Sequence, residues 1–163
     1  MSKSTLMVLF TSIAMSLGSV SSVAALTLDK SQSSINFIST KNQHISEQHT
    51  FDNYSGQLDE QGKLTITIDI TSVNTLIPIR NERMQKMLFN MSEYSVATFI
   101  AQIDSAVSKL KAGEVKRTTI AGEMTIAGNS APVSFEVALI GLKNGGINAT
   151  TTKPTIISAT AFN

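Results

Sequence analysis

The chain has 163 residues and contains neither cysteine nor tryptophan, so disulfide bonds and thiol chemistry are excluded. Lys3 is the only charged residue among the first 25; without it the 13 basic residues become 12, equal to the 12 acidic ones. The rest of the chain is therefore formally neutral. Because a neutral domain binds phosphate backbones poorly, nucleic acid is not an expected partner.

The N-terminal segment has the pattern of a secretory signal peptide. Lys3 precedes an apolar run from Leu6 to Leu17, and small residues at Val23 to Ala25 precede a cleavage site. The run is shorter than the about 20 residues that a membrane-spanning helix needs. A signal anchor or a buried N-terminal helix is the alternative. We predict a signal peptide over residues 1–25, cleaved near Ala25, and one domain over residues 26–163 that is periplasmic or secreted and not an integral membrane protein.

Apolar and polar residues alternate with period two over most of the remaining chain, which is typical of antiparallel strands. Gly62 and the segment 127–132 have the composition of turns. The pattern predicts strands over residues 34–37, 54–58, 64–70, 98–103, 119–126, 133–139 and 155–162. Many short strands and a single helix indicate an all-β sandwich or barrel.

The predicted helix lies between the third and fourth of these strands. Its apolar residues recur at helical spacing: Met84, Met87, Leu88 and Met91. Charged residues fill the opposite side: Arg80, Glu82, Arg83 and Lys86. We predict an amphipathic helix over about residues 79–90 that begins near Pro78. Its methionines are either plain core or an adaptable lid over the mouth of a barrel.

Three sequence blocks follow one another in a recognisable order. Residues 29–37 match D-x-x-x-S-x-[IV]-x-F, and residues 77–99 combine a charged helix with a segment similar to Y-P-x-A-T-F. Residues 122–133 match G-x-[LM]-T-[IL]-x-G-x-x-x-P-V. Together, behind a signal peptide, these blocks resemble the YceI family.

The resemblance implies an antiparallel, lipocalin-like β-barrel around an apolar channel that holds a polyisoprenoid or a similar amphiphile. The family continues beyond the last matching phenylalanine into a closing strand, whereas this chain ends at Asn163. We therefore expect a barrel that is incompletely closed at its C-terminal end. Ala101 and Gly122 either leave space for a ligand or pack closely against the helix. The side chains predicted to line the channel are Phe37, Ile66, Ile68, Met84, Met87, Phe99, Ile103, Met124, Phe135 and Val137.

The sequence contains no recognisable catalytic motif. G-x-S-x-G, H-E-x-x-H and glycine-rich phosphate loops are all missing, although a dispersed Ser–His–Asp arrangement stays open. His44, Glu47 and His49 have metal-ligating side chains, but on a strand only Glu47 and His49 share a face. Two ligands make a poor zinc site, so we expect polar lining or surface near the barrel mouth and no metal or cofactor.

The sequence thus predicts a non-catalytic periplasmic carrier for a hydrophobic or amphiphilic ligand, an isoprenoid such as a quinone or a polyprenyl lipid. A periplasmic or inner-membrane redox protein is the partner that such a carrier would serve. The alternative is a structural or stress-linked interaction protein whose core is filled by its own side chains.

Overall fold

The computed structural model describes residues 25–41, 45–87, 94–107 and 109–162. The described strands, in chain order, are β1 (Leu26–Thr27), β2 (Ile35–Lys41), β3 (Ile45–Phe51), β4 (Tyr54–Leu58), β5 (Lys63–Asp69), β6 (Val73–Asn74), β7 (Val96–Gln102), β8 (Val115–Ile126), β9 (Asn129–Gly141) and β10 (Ile147–Thr151). The helix α1 spans Pro78–Met87. Short 3₁₀ helices occupy Lys30–Gln32, Ile70–Ser72 and Ala159–Phe162.

The strands form two antiparallel sheets. The main sheet has the order β1-β4-β5-β7-β8-β9-β10, and the small sheet has the order β2-β3-β6. The main sheet curls into half a barrel, and its edges are β1 and β10. Within the described part of the chain neither edge strand pairs on its outer side. This architecture confirms the prediction of an incompletely closed antiparallel barrel with one helix.

Two turns follow from glycine and its neighbours. Gly62, between β4 and β5, has φ +83°, a conformation that glycine adopts at little cost. The hairpin between β8 and β9 uses only Ala127 and Gly128, both with positive φ, as a type I′ connection requires. The turn predicted over residues 127–132 is therefore shorter than expected. Pro132 lies inside β9. The strand β10 pairs with β9 only from Val137 onwards, so the missing N–H of Pro132 costs no hydrogen bond to β10.

The strand predicted over residues 155–162 is wrong. Thr152 and Thr155 still bond the edge of β9, through Thr152 N to the Glu136 carbonyl (2.9 Å) and Thr155 Oγ1 to the Ser134 carbonyl (3.1 Å). Pro154 lies between them and has no N–H to continue a ladder. The chain then forms the 3₁₀ helix that packs against β9 and buries the ring of Phe162 in the core.

The core lies on the inner face of the main sheet. Ile66 of β5 pairs with Phe99 of β7, which in turn pairs with Met124 of β8. The alternation predicted for these strands is confirmed, because alternate residues of β7, β8 and β9 point to the same side. The buried members of this core are Phe99, Ala101, Ile103, Val107, Met124, Val133, Val137, Leu139 and Phe162.

Two strands bend together at one corner. The chain passes from β3 to β4 through Asp52–Asn53, and from β5 to β6 through the 3₁₀ helix Ile70–Ser72. Asp52 N donates to the Ser72 carbonyl (3.0 Å), and Asn53 Nδ2 donates to Asp69 Oδ2 (3.0 Å). The inward positions change from odd in β3 to even in β4 and from even in β5 to odd in β6. At this corner, therefore, both crossings between the sheets shift the parity of the inward positions.

The helix α1 is held against this corner and the small sheet. Gln85 Nε2 donates to the Thr71 carbonyl (2.8 Å), and Arg80 forms an ion pair with Glu47 of β3 (2.7 Å). Met84 is buried. Arg80, however, was expected on the solvated side, and that expectation is wrong: it precedes Met84 by four residues and so shares its face. Residues 88–90 of the predicted helix, together with Met91, lie outside the described residues.

We predict that Gly122→Ala destabilises the protein. An added Cβ would collide with the backbone oxygen of Ile100 and lie 2.7 Å from Cζ of Phe99, and a backbone atom in a paired strand cannot yield cheaply. We expect a loss of about 1–3 kcal/mol in the free energy of unfolding, measured by urea denaturation.

Gly146→Ala is the matched control. The atoms nearest to its added Cβ belong to the flexible side chains of Asn144 and Leu142, so we expect a change within about 0.5 kcal/mol. Equal unfolding midpoints for the two variants would show that β7 and β8 are not as closely packed as described.

Candidate functional site

The inner face of the main sheet has a filled centre and an open apolar rim. The centre is the buried core around Phe99 and Leu139. The rim consists of hydrophobic side chains that pack against this core yet are only half-buried: Leu58, Leu64, Ile66, Ile120, Ile126, Ala131, Phe135 and Ile147. These side chains come from β4, β5, β8, β9 and β10, so the apolar rim extends across most of the curled sheet. Apolar surface on a concave face is the usual lining of a small-molecule site.

The structure brings six of the ten predicted channel residues together. They join the core or pack directly against it: Ile66, Phe99, Ile103, Met124, Phe135 and Val137. Ile68 follows on the same face of β5, opposite Tyr54 and Ala97, and is half-buried. Phe37 and Met84 lie elsewhere, on β2 of the small sheet and on α1. Met87 is the last residue of α1, and its side chain lies outside the description.

The small residues at the centre do not leave space for a ligand. The ring of Phe99 covers Gly122, and the side chain of Ala101 also lies within contact distance of it. Phe99 packs edge-on against Phe135, with 5.1 Å between the ring centroids. Of the two possibilities for Gly122 and Ala101, space for a ligand or close packing, the structure therefore shows close packing. The packing is against the neighbouring strand and not against the helix. Any ligand volume must lie beyond this layer, along the rim.

The small sheet has an aromatic and polar inner face. The ring of Phe37 stacks on Phe51 and tilts against His49, at 5.1 Å between centroids in both cases. Ser39 lies further along β2, and its hydroxyl is 2.8 Å from Nε2 of His49. Glu47 shares this face and carries the ion pair to Arg80. His49 is therefore inside the fold, whereas the paired side chains of Glu47 and Arg80 are 41% and 30% exposed.

His49 is buried with one ring nitrogen unsatisfied. His49 is 2% exposed, and among the described residues its Nδ1 atom has no hydrogen-bond partner. Burial lowers the pKa of His49 below its ordinary value, and the positive charge of Arg80 lowers it further, while Glu47 partly opposes this. The imidazole is therefore neutral at physiological pH.

Sequence reasoning placed Glu47 and His49 on one face but missed the burial of His49. The sequence did contain a sign of this burial. Phe37, Ser39, Glu47 and His49 occupy odd positions of two adjacent strands and so share one face, and hydrophobic residues flank this group on both sides. Within the described ranges no three metal-ligating side chains come together, and His44 lies outside those ranges. No helix in the described part of the chain is long and apolar enough to cross a membrane.

We predict that the protein becomes less stable as the pH decreases, because His49 is buried in its neutral form. The unfolded chain takes up a proton at the ordinary pKa of 6.5, whereas the folded chain resists protonation until lower pH. The contribution of neutral His49 to the free energy of unfolding is therefore at its full value above about pH 6.5. It decreases as the pH falls below that value. Urea unfolding of wild-type and His49→Gln protein from neutral pH to about pH 5 measures this slope. We expect a steeper slope in the wild type and in a His44→Gln control; equal slopes in wild type and His49→Gln would contradict the buried neutral imidazole.

Comparison with known proteins assigns the family. A YceI-like domain model matches residues 26–163. The structure of a polyisoprenoid binding domain from Saccharophagus degradans, implicated in plant cell wall breakdown, is 30% identical with a TM-score of 0.73, over 87% of this chain and 78% of that one. Burkholderia cenocepacia BcnA shares the fold at 22% identity and a TM-score of 0.58, over 82% of each chain. No curated protein sequence matches. The chain, with its half-barrel and its in-order match over residues 26–163, belongs to the YceI-like family.

Proposed function

We propose that this protein binds a hydrophobic or amphiphilic small molecule, an isoprenoid, along the apolar rim of its inner face and performs no chemistry on it. The observation that carries the proposal is the rim itself. Leu64, Ile66, Ile120 and Phe135 face the inside of the curled sheet, yet they are only half-buried. Apolar surface that stays exposed on a concave face lowers its free energy when an apolar chain covers it.

The relative with 30% identity supports this ligand class. That domain is described as polyisoprenoid-binding, and it superimposes on most of this chain. An isoprenoid tail is insoluble in water, and each buried CH₂ group contributes roughly 0.8 kcal/mol to binding. A tail that contacts the rim over several isoprene units therefore has enough apolar contact for stable binding without any ionic anchor.

A carrier role in the periplasm fits the same ligand. The leader over residues 1–25 would deliver the domain across the inner membrane, where an insoluble quinone or polyprenyl lipid needs a protein to move between membranes or redox enzymes. The competing function is a structural protein with a filled core. The packing of Phe99 over Gly122 favours that alternative for the centre of the sheet, whereas the half-buried rim favours a ligand.

We expect an isoprenoid lipid to be recovered from purified protein by solvent extraction and mass spectrometry. Ile120→Asn should reduce the recovered lipid about fivefold, because it replaces half-buried apolar surface that the tail would cover. Thr119→Asn, on the outer face of the same strand, is the control and should leave recovery unchanged. If wild-type protein is free of lipid and takes up none from isoprenoid-containing vesicles, the filled-core alternative is correct.

Expression with the native leader tests the location. Protein released from the periplasm of a Gram-negative host should begin near Leu26 by N-terminal sequencing, because cleavage is expected near Ala25. Membrane-bound protein that retains Met1 would contradict both the leader and the proposed compartment.

A further inference from the structure

A short apolar segment at the start of α1 faces water. Leu76, Ile77, Pro78 and Ile79 follow one another in the chain, and all four are exposed. Leu76 is the most exposed of them, at 87%. Single exposed apolar side chains are ordinary on a protein surface, whereas a run of four in succession is unfavourable in water unless it serves a function. We call these four residues the apolar tip.

The backbone of Leu76 has a conformation that does not suit a leucine. Its φ is +62°, in the left-handed region that glycine and asparagine adopt far more readily than a branched aliphatic residue does. Burial does not offset this cost, because the side chain is almost fully exposed. Residues held in such a conformation cluster at functional sites. The side chain of Leu76 is therefore best explained by a contact outside the chain.

Hydrogen bonds on both sides hold the apolar tip in this shape. Leu76 N donates to Asn74 Oδ1 (3.0 Å), and Asn74 Nδ2 donates to Asp52 Oδ2 at the corner (3.0 Å). Thr75 is buried and donates from its backbone N (2.9 Å) and its hydroxyl (2.6 Å) to Asn81 Oδ1 of α1. The corner and the helix therefore fix the backbone that presents the leucine to solvent.

The helix that follows the apolar tip is basic. Within α1 there are three basic side chains, Arg80, Arg83 and Lys86, against one acidic side chain, Glu82. Arg80 pairs with Glu47 of β3, while Arg83 and Lys86 are exposed. Aliphatic side chains next to basic ones are the combination by which peripheral proteins bind a bilayer that contains anionic lipid. The aliphatic groups enter the head-group region, and the cations are attracted to the lipid phosphates.

We propose that the apolar tip inserts into the head-group region of a bilayer containing anionic phospholipid, with Arg83 and Lys86 at the membrane surface. The inference rests on the proposed function in one respect, because the carrier of an insoluble isoprenoid has to take it from a membrane and deliver it to one. A second copy of the chain is the less favourable occupant. A two-fold contact through the apolar tip would bring the basic helices of both copies together.

Flotation of the whole protein with vesicles tests the docking. The vesicles are phosphatidylcholine with or without phosphatidylglycerol, and neither contains an isoprenoid. We expect wild-type protein to float with the anionic vesicles, and to float less with the neutral ones or at high salt. Arg83→Gln should weaken binding to the anionic vesicles only.

Leu76→Asn separates docking from folding. The loss of the aliphatic side chain should weaken vesicle binding about threefold to tenfold. Asparagine tolerates the positive φ better than leucine, so the midpoint of urea unfolding should stay the same or rise. A variant that is less stable than the wild type and binds vesicles equally well would contradict the inference, because the side chain would then act inside the fold.

Ile156→Asn is the matched control. Ile156 is 95% exposed and follows β10 of the main sheet, so its replacement should leave vesicle binding unchanged. Equal losses in Leu76→Asn and Ile156→Asn would mean unspecific adhesion and would overturn the inference. A dimer that forms without vesicles and that Leu76→Asn dissociates, measured by sedimentation, would assign the apolar tip to a second copy and overturn it as well.

The docking and the proposed function fail separately. Protein that yields an isoprenoid on extraction but does not float with anionic vesicles would contradict the docking alone. Protein that floats but neither yields nor takes up an isoprenoid would contradict the proposed function and leave the docking supported.

Discussion

The corner between the two sheets determines where everything else lies. Asp69 accepts hydrogen bonds from the backbone N and the hydroxyl of Thr71 and from the side chain of Asn53. These bonds, from the Thr71 side chain first and Asn53 next, lower the pKa of Asp69, so the ionised carboxylate is the form that holds the bend. Ser72 adds bonds to Asn53 and to the backbone of Asp69. These bonds hold the passage from β3 to β4 and the passage from β5 to β6 side by side, so the chain bends at the same place in both.

The bend has consequences for the small sheet and the helix. Because β3 and β6 continue β4 and β5 beyond the corner, their inner face adjoins that of the main sheet. Gln85 attaches α1 to the corner itself, and Arg80 attaches it to β3. The buried residues of this region, His49, Ile70, Val73 and Met84, lie outside the core of the main sheet.

Sequence patterns predicted the main sheet well and the corner poorly. In β7, β8 and β9 more buried residues alternate with more exposed ones, so the face of the sheet on which Phe99 and Val137 lie could be predicted from the sequence. At Asp52–Asn53 and at Ile70–Ser72 the inward parity changes, and period-two reasoning cannot follow a strand through such a shift. The burial of His49 depends on that shift together with the position of α1, both of which are tertiary. Gly122 shows the same limit, because only the structure reveals that Phe99 occupies its space.

We propose that an isoprenoid tail covers the half-buried rim. A crystal structure of the protein purified with its native lipid would show whether it does. We expect continuous density for a tail against Leu64, Ile66, Ile120 and Phe135. Density for the lipid on the outer face, against Val96 and Ile100, or a rim closed by its own side chains, would contradict it.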